Sequence, residues 1–90
     1  MPSTARYAAR TASVVATIPL GGPNSVAFDG SWIWVSQPNA GTVSVIDPYS
    51  TDLVRTIGTG AGSSPQGLAF DLTNIWVANN GAHNVMRLRP

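Results

Sequence analysis

Cysteine, lysine and glutamate are all missing from this chain of 90 residues. Without cysteine there is no disulfide framework, no thiolate nucleophile and no thiolate metal site, and the redox compartment stays open. Charged residues make up only 10% of the chain, against about 25% in an average globular protein. Five arginines and four aspartates leave a net charge of +1. Arg6, Arg10, Arg55, Arg87 and Arg89 are scattered, whereas a nucleic-acid binder carries a basic stripe, so no nucleic-acid partner is expected. No apolar run approaches the ~18 residues of a membrane span, and none is expected. The first segment, 1–12, lacks the apolar centre of a signal peptide and reads as a short mobile tail.

What the chain does contain is a repeat. Pro23-Asn-Ser-Val-Ala-Phe-Asp-Gly-Ser-Trp-Ile-Trp-Val-Ser returns as Pro65-Gln-Gly-Leu-Ala-Phe-Asp-Leu-Thr-Asn-Ile-Trp-Val-Ala, 42 positions later. The spacing also relates Ala40 to Ala82, Val43 to Val85 and Pro48 to Pro90. Such a period, in units rich in strand formers and punctuated by glycine, is the signature of propeller blades.

The strand signals are short and evenly spaced. Val14–Ile18 is rich in β-branched residues and runs into the turn cluster Pro19–Pro23. Ser25–Phe28 and Trp32–Ser36 flank Asp29-Gly30, a dipeptide that favours tight hairpins. In Thr42–Ile46, Val43 and Val45 face one way and Thr42, Ser44 and Ile46 the other. Leu53–Ile57 follows the turn Asp47–Asp52. The second unit offers Gly67–Phe70, Asn74–Ala78 and Asn84–Leu88 in the same order. No stretch of ten or more residues shows the helical apolar period, so essentially no helix is predicted.

The predicted fold is therefore all-β, a β-propeller with two blades per chain. With strands labelled A to D from the centre outward, the order reads D, A-B-C-D, A-B-C. Segment 13–22 holds a leading D strand, 23–57 blade one, and 58–90 a blade two without a D strand of its own. Val15-Ala-Thr-Ile18 and Val54-Arg-Thr-Ile57 are the two D strands, 39 residues apart, and a three-residue insertion in the second D–A loop accounts for the difference from 42. The leading D strand sits beside blade one and cannot reach the open edge of blade two within its own chain. Two blades also leave whole apolar sheet faces bare, more than the few hundred Å² that soluble monomers tolerate. The expected solution is a homo-oligomeric ring in which each D strand completes a neighbour's blade. Three chains give six blades, the preferred closure; four give eight.

The residues that carry this pattern resemble a known family. Val-Ala-Thr-Ile-Pro-Leu-Gly-Gly-Pro-Asn-Ser-Val-Ala-Phe-Asp-Gly, with Trp-Val-Ser and Gly-Thr-Val-Ser-Val-Ile-Asp-Pro after it, resembles the YVTN-type β-propeller repeat. The second unit is similar in a Trp-Val-Ala-Asn variant, close to NHL-type and virginiamycin-lyase-like propellers. The resemblance covers residues 13–90 and implies the fold, not a task. Its members usually carry about seven blades in one chain, whereas this chain carries two. The lyase-like relatives use a His/Glu constellation around a metal. With one histidine and no glutamate, that chemistry is not carried over.

Each candidate residue has a plain structural role to set beside a functional one. The D–A and B–C loops share one end of a propeller, which makes Asn24, Ser25, Gln66 and His83 candidate ligand-face residues. His83 is the single histidine, and as such reads as a solvated loop residue rather than a ligand or general base. Asp29 and Asp71 form a pair of carboxylates, which can serve as acid and base. Their equivalent turns give the simpler reading, a cap on the local backbone. Asp47, Tyr49 and Asp52 read as turn residues. Trp34 and Trp76 are repeat-equivalent and are expected in the core between blades. Trp32 has Asn74 as its counterpart, so the architecture does not require it, and it is a candidate aromatic platform. Gly21-Gly22 and Gly58–Gly62 lack the Lys-Ser/Thr and helix of a phosphate loop. The expectation is a non-enzymatic, self-assembling scaffold with no catalytic residues, cofactor or metal. The alternative is a carbohydrate- or peptide-binding module, taking a small ligand or glycan on the loop-rich end.

Overall fold

The computed structural model describes residues 13–90; the expected tail, 1–12, lies outside them. Seven strands form: β1 Val26–Phe28, β2 Ile33–Gln37, β3 Thr42–Ile46, β4 Leu53–Gly58, β5 Pro65–Phe70, β6 Ile75–Asn79 and β7 Asn84–Leu88. They make two antiparallel meanders, a four-stranded sheet in the order β1-β2-β3-β4 and a three-stranded sheet in the order β5-β6-β7. No helix is present among the described residues. The chain is all-β, as expected, and the second sheet repeats the first three strands of the first.

Register fixes the faces. Ala27 pairs with Trp34, Trp34 with Val45, and Val43 with Ile57. These residues, with Ser36, share one face of the first sheet, because side chains alternate along a strand. In the second sheet, Leu68 pairs with Val77, Phe70 with Ile75, and Ile75 with Leu88. The core is the meeting of these two faces: Trp34, Val43 and Val45 pack on Ile75 and Val77. Polar clips hold the register at one end. Ser36 Oγ donates to the carbonyl of Gln66, and the amide of Leu68 donates to Ser25 Oγ at 3.3 Å.

Turn chemistry differs from the simplest expectation. Asp29-Gly30 does not close a two-residue hairpin; β1 and β2 are joined by Asp29–Trp32, with the Asp29 amide donating to the Trp32 carbonyl at 3.1 Å. The ladder also runs past β1, since the Asn24 amide donates to the Ser36 carbonyl at 2.9 Å.

Val14–Ile18, expected as a strand, pairs with no strand among the described residues. Val14 and Val15 are 83% and 94% exposed. A strand needs a neighbour to take its backbone hydrogen bonds, and neither sheet of the described residues adds this segment to its ladder. Trp76 also departs from expectation. Trp34 is fully buried, whereas Trp76 is 38% exposed, because no third sheet among the described residues covers its face.

Candidate functional site

The most distinctive side-chain arrangement occurs twice. Asp29 sits at the end of β1, and its Oδ1 accepts from the amides of Ser31 and Trp32 at 2.8 and 2.7 Å. Its Oδ2 accepts from the indole Nε1–H of Trp34 at 2.8 Å. Asp71 does the same in the second unit, taking the Thr73 and Asn74 amides at 2.8 and 2.7 Å and the Trp76 indole at 2.6 Å. Each indole also lies under an arginine, Arg55 over Trp34 and Arg87 over Trp76, both at 5.8 Å from the ring centroid. That distance is within cation–π reach.

The reading of the aspartates as backbone caps holds, but it missed the tryptophans. One carboxylate uses one oxygen for the turn and the other to fix an indole five residues on. The signal was present: Asp and Trp recur together at that spacing in both units. The arginines carried no such signal, because they come from different strands. Arg87 is the direct neighbour of Trp76 across β6 and β7, whereas Arg55 reaches Trp34 from β4, past Val45.

Both carboxyls titrate below the ordinary aspartate value of 3.8. At Asp29 partial burial pushes upward but is outweighed by the hydrogen bonds from the Trp32 amide, the Trp34 indole and the Ser31 amide. At Asp71 the Asn74 amide, the Trp76 indole and the Thr73 amide lower it. All of these donors favour the charged form. Two carboxylates so occupied, each in its own turn, are not arranged as a shared acid–base pair.

The loop-rich end is built differently. Gln66 and His83 border a shallow cavity of about 370 Å³ together with Asn79, Asn80 and Asn84. Ser25 lies at the junction between the sheets, where its hydroxyl accepts from Leu68, and exposed Asn24 is beside it. Trp32 is not part of this group. It belongs to the β1–β2 turn at the opposite end of β2, half-buried against the inter-sheet core. Of the five candidate residues, the structure gathers Asn24, Ser25, Gln66 and His83 at one end and separates Trp32 from them. Asp47 accepts from the Tyr49 amide at 2.8 Å in the β3–β4 turn, as a turn residue should. No cluster of three or more potential metal-ligating His, Cys, Asp or Glu residues occurs among the described residues.

His83 has a structural reason to be noticed. Its backbone is left-handed, with φ of 57°, and its counterpart Gly41 has φ of 66°. The same relation links Gly22 to Ser64 (59° and 49°) and Gly30 to Leu72 (98° and 81°). At three turn positions the first unit uses glycine and the second keeps the conformation without it. Side chains other than glycine adopt this region at a cost.

The buried amide of β6 shows a second divergence. In the first unit Gln37 Oε1 accepts from the Thr42 and Ser44 hydroxyls. Its counterpart Asn79 donates to Asn84 Oδ1 at 3.0 Å, while its own buried Oδ1 has no partner among the described residues. The counterpart of Ser44 is Met86, which brings no hydroxyl.

The chain matches no family model, and no curated protein matches it significantly.

Proposed function

We propose that this chain is a non-catalytic, self-assembling β-propeller scaffold. It is a two-blade unit of the YVTN/NHL-like type, and copies close into a ring by exchanging the strand 14–18. The observation that carries this reading is a matched pair of unsatisfied elements. The outer edge of β7 has no partner strand among the described residues, and segment 14–18 has strand chemistry but no ladder. Val15-Ala-Thr-Ile18 shares its pattern with Val54-Arg-Thr-Ile57, which completes the first sheet by pairing Ile57 with Val43, Thr56 with Ser44 and Arg55 with Val45. Shifted by the repeat, that register sets Ile18 of one copy against Val85 of the next, Thr17 against Met86 and Ala16 against Arg87. Pairing of this kind removes an edge that otherwise invites uncontrolled aggregation. A head-to-tail contact that closes by rotation gives a ring, of three chains and six blades by preference, or of four chains and eight.

The test is the native mass of the full chain beside a variant lacking residues 1–18. The expected result is a discrete trimer or tetramer for the full chain and loss of that species on truncation. A truncated chain that keeps the same oligomeric mass overturns strand exchange, and a monomeric full chain overturns the ring.

A second reading, binding of a glycan or peptide at the loop-rich end, is favoured by the open cavity there, where Gln66, Asn79, His83 and Asn84 stand beside the apolar Ala78 and Val85. Its symmetry-related copies in a ring would add avidity. Glycan-array binding that survives Trp32→Ala but is lost on Gln66→Ala would support a site at that end rather than at Trp32.

A further inference from the structure

The two outward faces of the chain are counterparts of the two faces that already meet inside it. Within one chain, the Trp34 face of the first sheet covers the Ile75 and Val77 face of the second. The opposite face of the first sheet carries Val26, Phe28, Ile33, Val35 and Ile46, from the pairings of Val26 with Val35, Phe28 with Ile33, and Ile33 with Ile46. One repeat on, these positions are Leu68, Phe70, Ile75, Val77 and Leu88, the covered half of the internal junction. Conversely, the outward face of the second sheet carries Ala69, Trp76, Ala78, Val85 and Arg87. Its counterparts are Ala27, Trp34, Ser36, Val43 and Val45, the covering half.

Both outward faces show what they lack. Phe28 and Val26 are 53% and 63% exposed, whereas Val35 and Ile46 deeper on the same face are already buried within the chain. Between them and the segment carrying Ile18 and Leu20 runs an apolar groove of about 470 Å³, lined also by Ile33, Val35 and Ile46. On the other face, Trp76 is held by Asp71 as Trp34 is held by Asp29, so the indole is already in the orientation that the internal junction uses.

We propose that the Trp76 face of one copy seats on the Val35 groove of a second copy, in the register by which Trp34 covers Ile75 and Val77 within a chain. The occupant is a second copy because the chain itself displays the matching cover for this groove. The seating rests on the head-to-tail assembly proposed above and adds the contact that the exchanged strand alone does not define.

The junction between copies is leaner than the internal one. The clips of Ser36 and Ser25 are replaced by Ala78 and Gly67, and the half-buried Trp32 by Asn74. The junction between copies therefore has the same shape with fewer hydrogen bonds and less aromatic surface, and it is the contact that opens first on dilution.

The register makes a covalent test. Inside the chain Ser36 Oγ reaches the backbone of Gln66, so between copies Ala78 should lie beside Asn24. Both are exposed, and the chain has no cysteine of its own. The doubly substituted N24C/A78C chain is oxidised under native conditions and run without reductant, beside the native mass of the reduced sample. The expected result is a ladder of linked chains ending at the mass of the native oligomer. Mixed N24C and A78C single variants should give covalent dimers only. A second pair, V26C/G67C, follows from the contact of Leu68 with Ser25 and guards against a folding defect in the first. A native oligomer in which neither pair links overturns the seating and leaves the ring standing. A monomer overturns the ring, and the seating with it.

Discussion

The indole of Trp76 donates to Asp71 at 2.6 Å and the indole of Trp34 to Asp29 at 2.8 Å, yet only Trp34 is buried. The local geometry is the same in both units; what differs is the sheet on the far side. In the assembly proposed above, the exposed indole of Trp76 is the one that meets the neighbouring copy.

Truncating the two tryptophans should therefore separate folding from assembly. Trp34→Ala empties the centre of the inter-sheet core and should cost about 3–5 kcal/mol in chemical denaturation. Trp76→Ala should leave the secondary structure of the chain in place by circular dichroism and lower its oligomeric mass. A Trp34→Ala cost below about 1 kcal/mol would place that ring outside the core.

Acid should weaken the fold through the two aspartates. Their folded values lie below 3.8, so the stability they contribute is fully present above the unfolded-state value and is lost as the pH falls through the folded ones. Thermal midpoints should be flat in their contribution from about pH 5 to 8 and decline below about pH 4. Asp29→Asn should cost about 1–3 kcal/mol at neutral pH, because an amide nitrogen facing the Trp34 indole leaves a donor without an acceptor. It should also flatten part of the acid decline; an unchanged acid profile would remove Asp29 from the cause.

The left-handed turns of the second unit offer a stabilising series. Leu72→Gly and His83→Gly should each raise stability, by up to about 1 kcal/mol, as relief of the left-handed strain exceeds the added freedom of the unfolded chain. Equilibrium denaturation of the two variants checks this. A destabilised His83→Gly would show that the imidazole makes a contact worth more than the strain.

The repeat is legible in the residues themselves because both units carry the same marks of alternation and turn. The period of 42, the order of the seven strands and the aspartate-capped turns all follow from local pattern, and β7 begins and ends where alternation places it, at Asn84 and Leu88. The limits of β3, Thr42 and Ile46, hold as well, whereas others moved by a residue or two: β5 starts at Pro65 and β6 ends at Asn79. Strand ends are set by the hydrogen bonds of the neighbour, which local pattern does not contain.

The sequence by itself determined the all-β class, the two related units and the alternation that sorts each strand's side chains onto two faces. Only the tertiary structure decided which of those faces is covered. Trp34 and Trp76 are identical in type, spacing and turn partner, so no local rule tells them apart. Burial depends on the sheet opposite, and Trp34 has one where Trp76 does not. The same reason explains the three left-handed positions in the second unit. Serine, leucine and histidine give no sign of that conformation, which is imposed by strand register on either side of the turn. Segment 14–18 has the composition of a strand, but a strand exists only where a neighbour accepts its hydrogen bonds, and that neighbour is a matter of tertiary or quaternary arrangement.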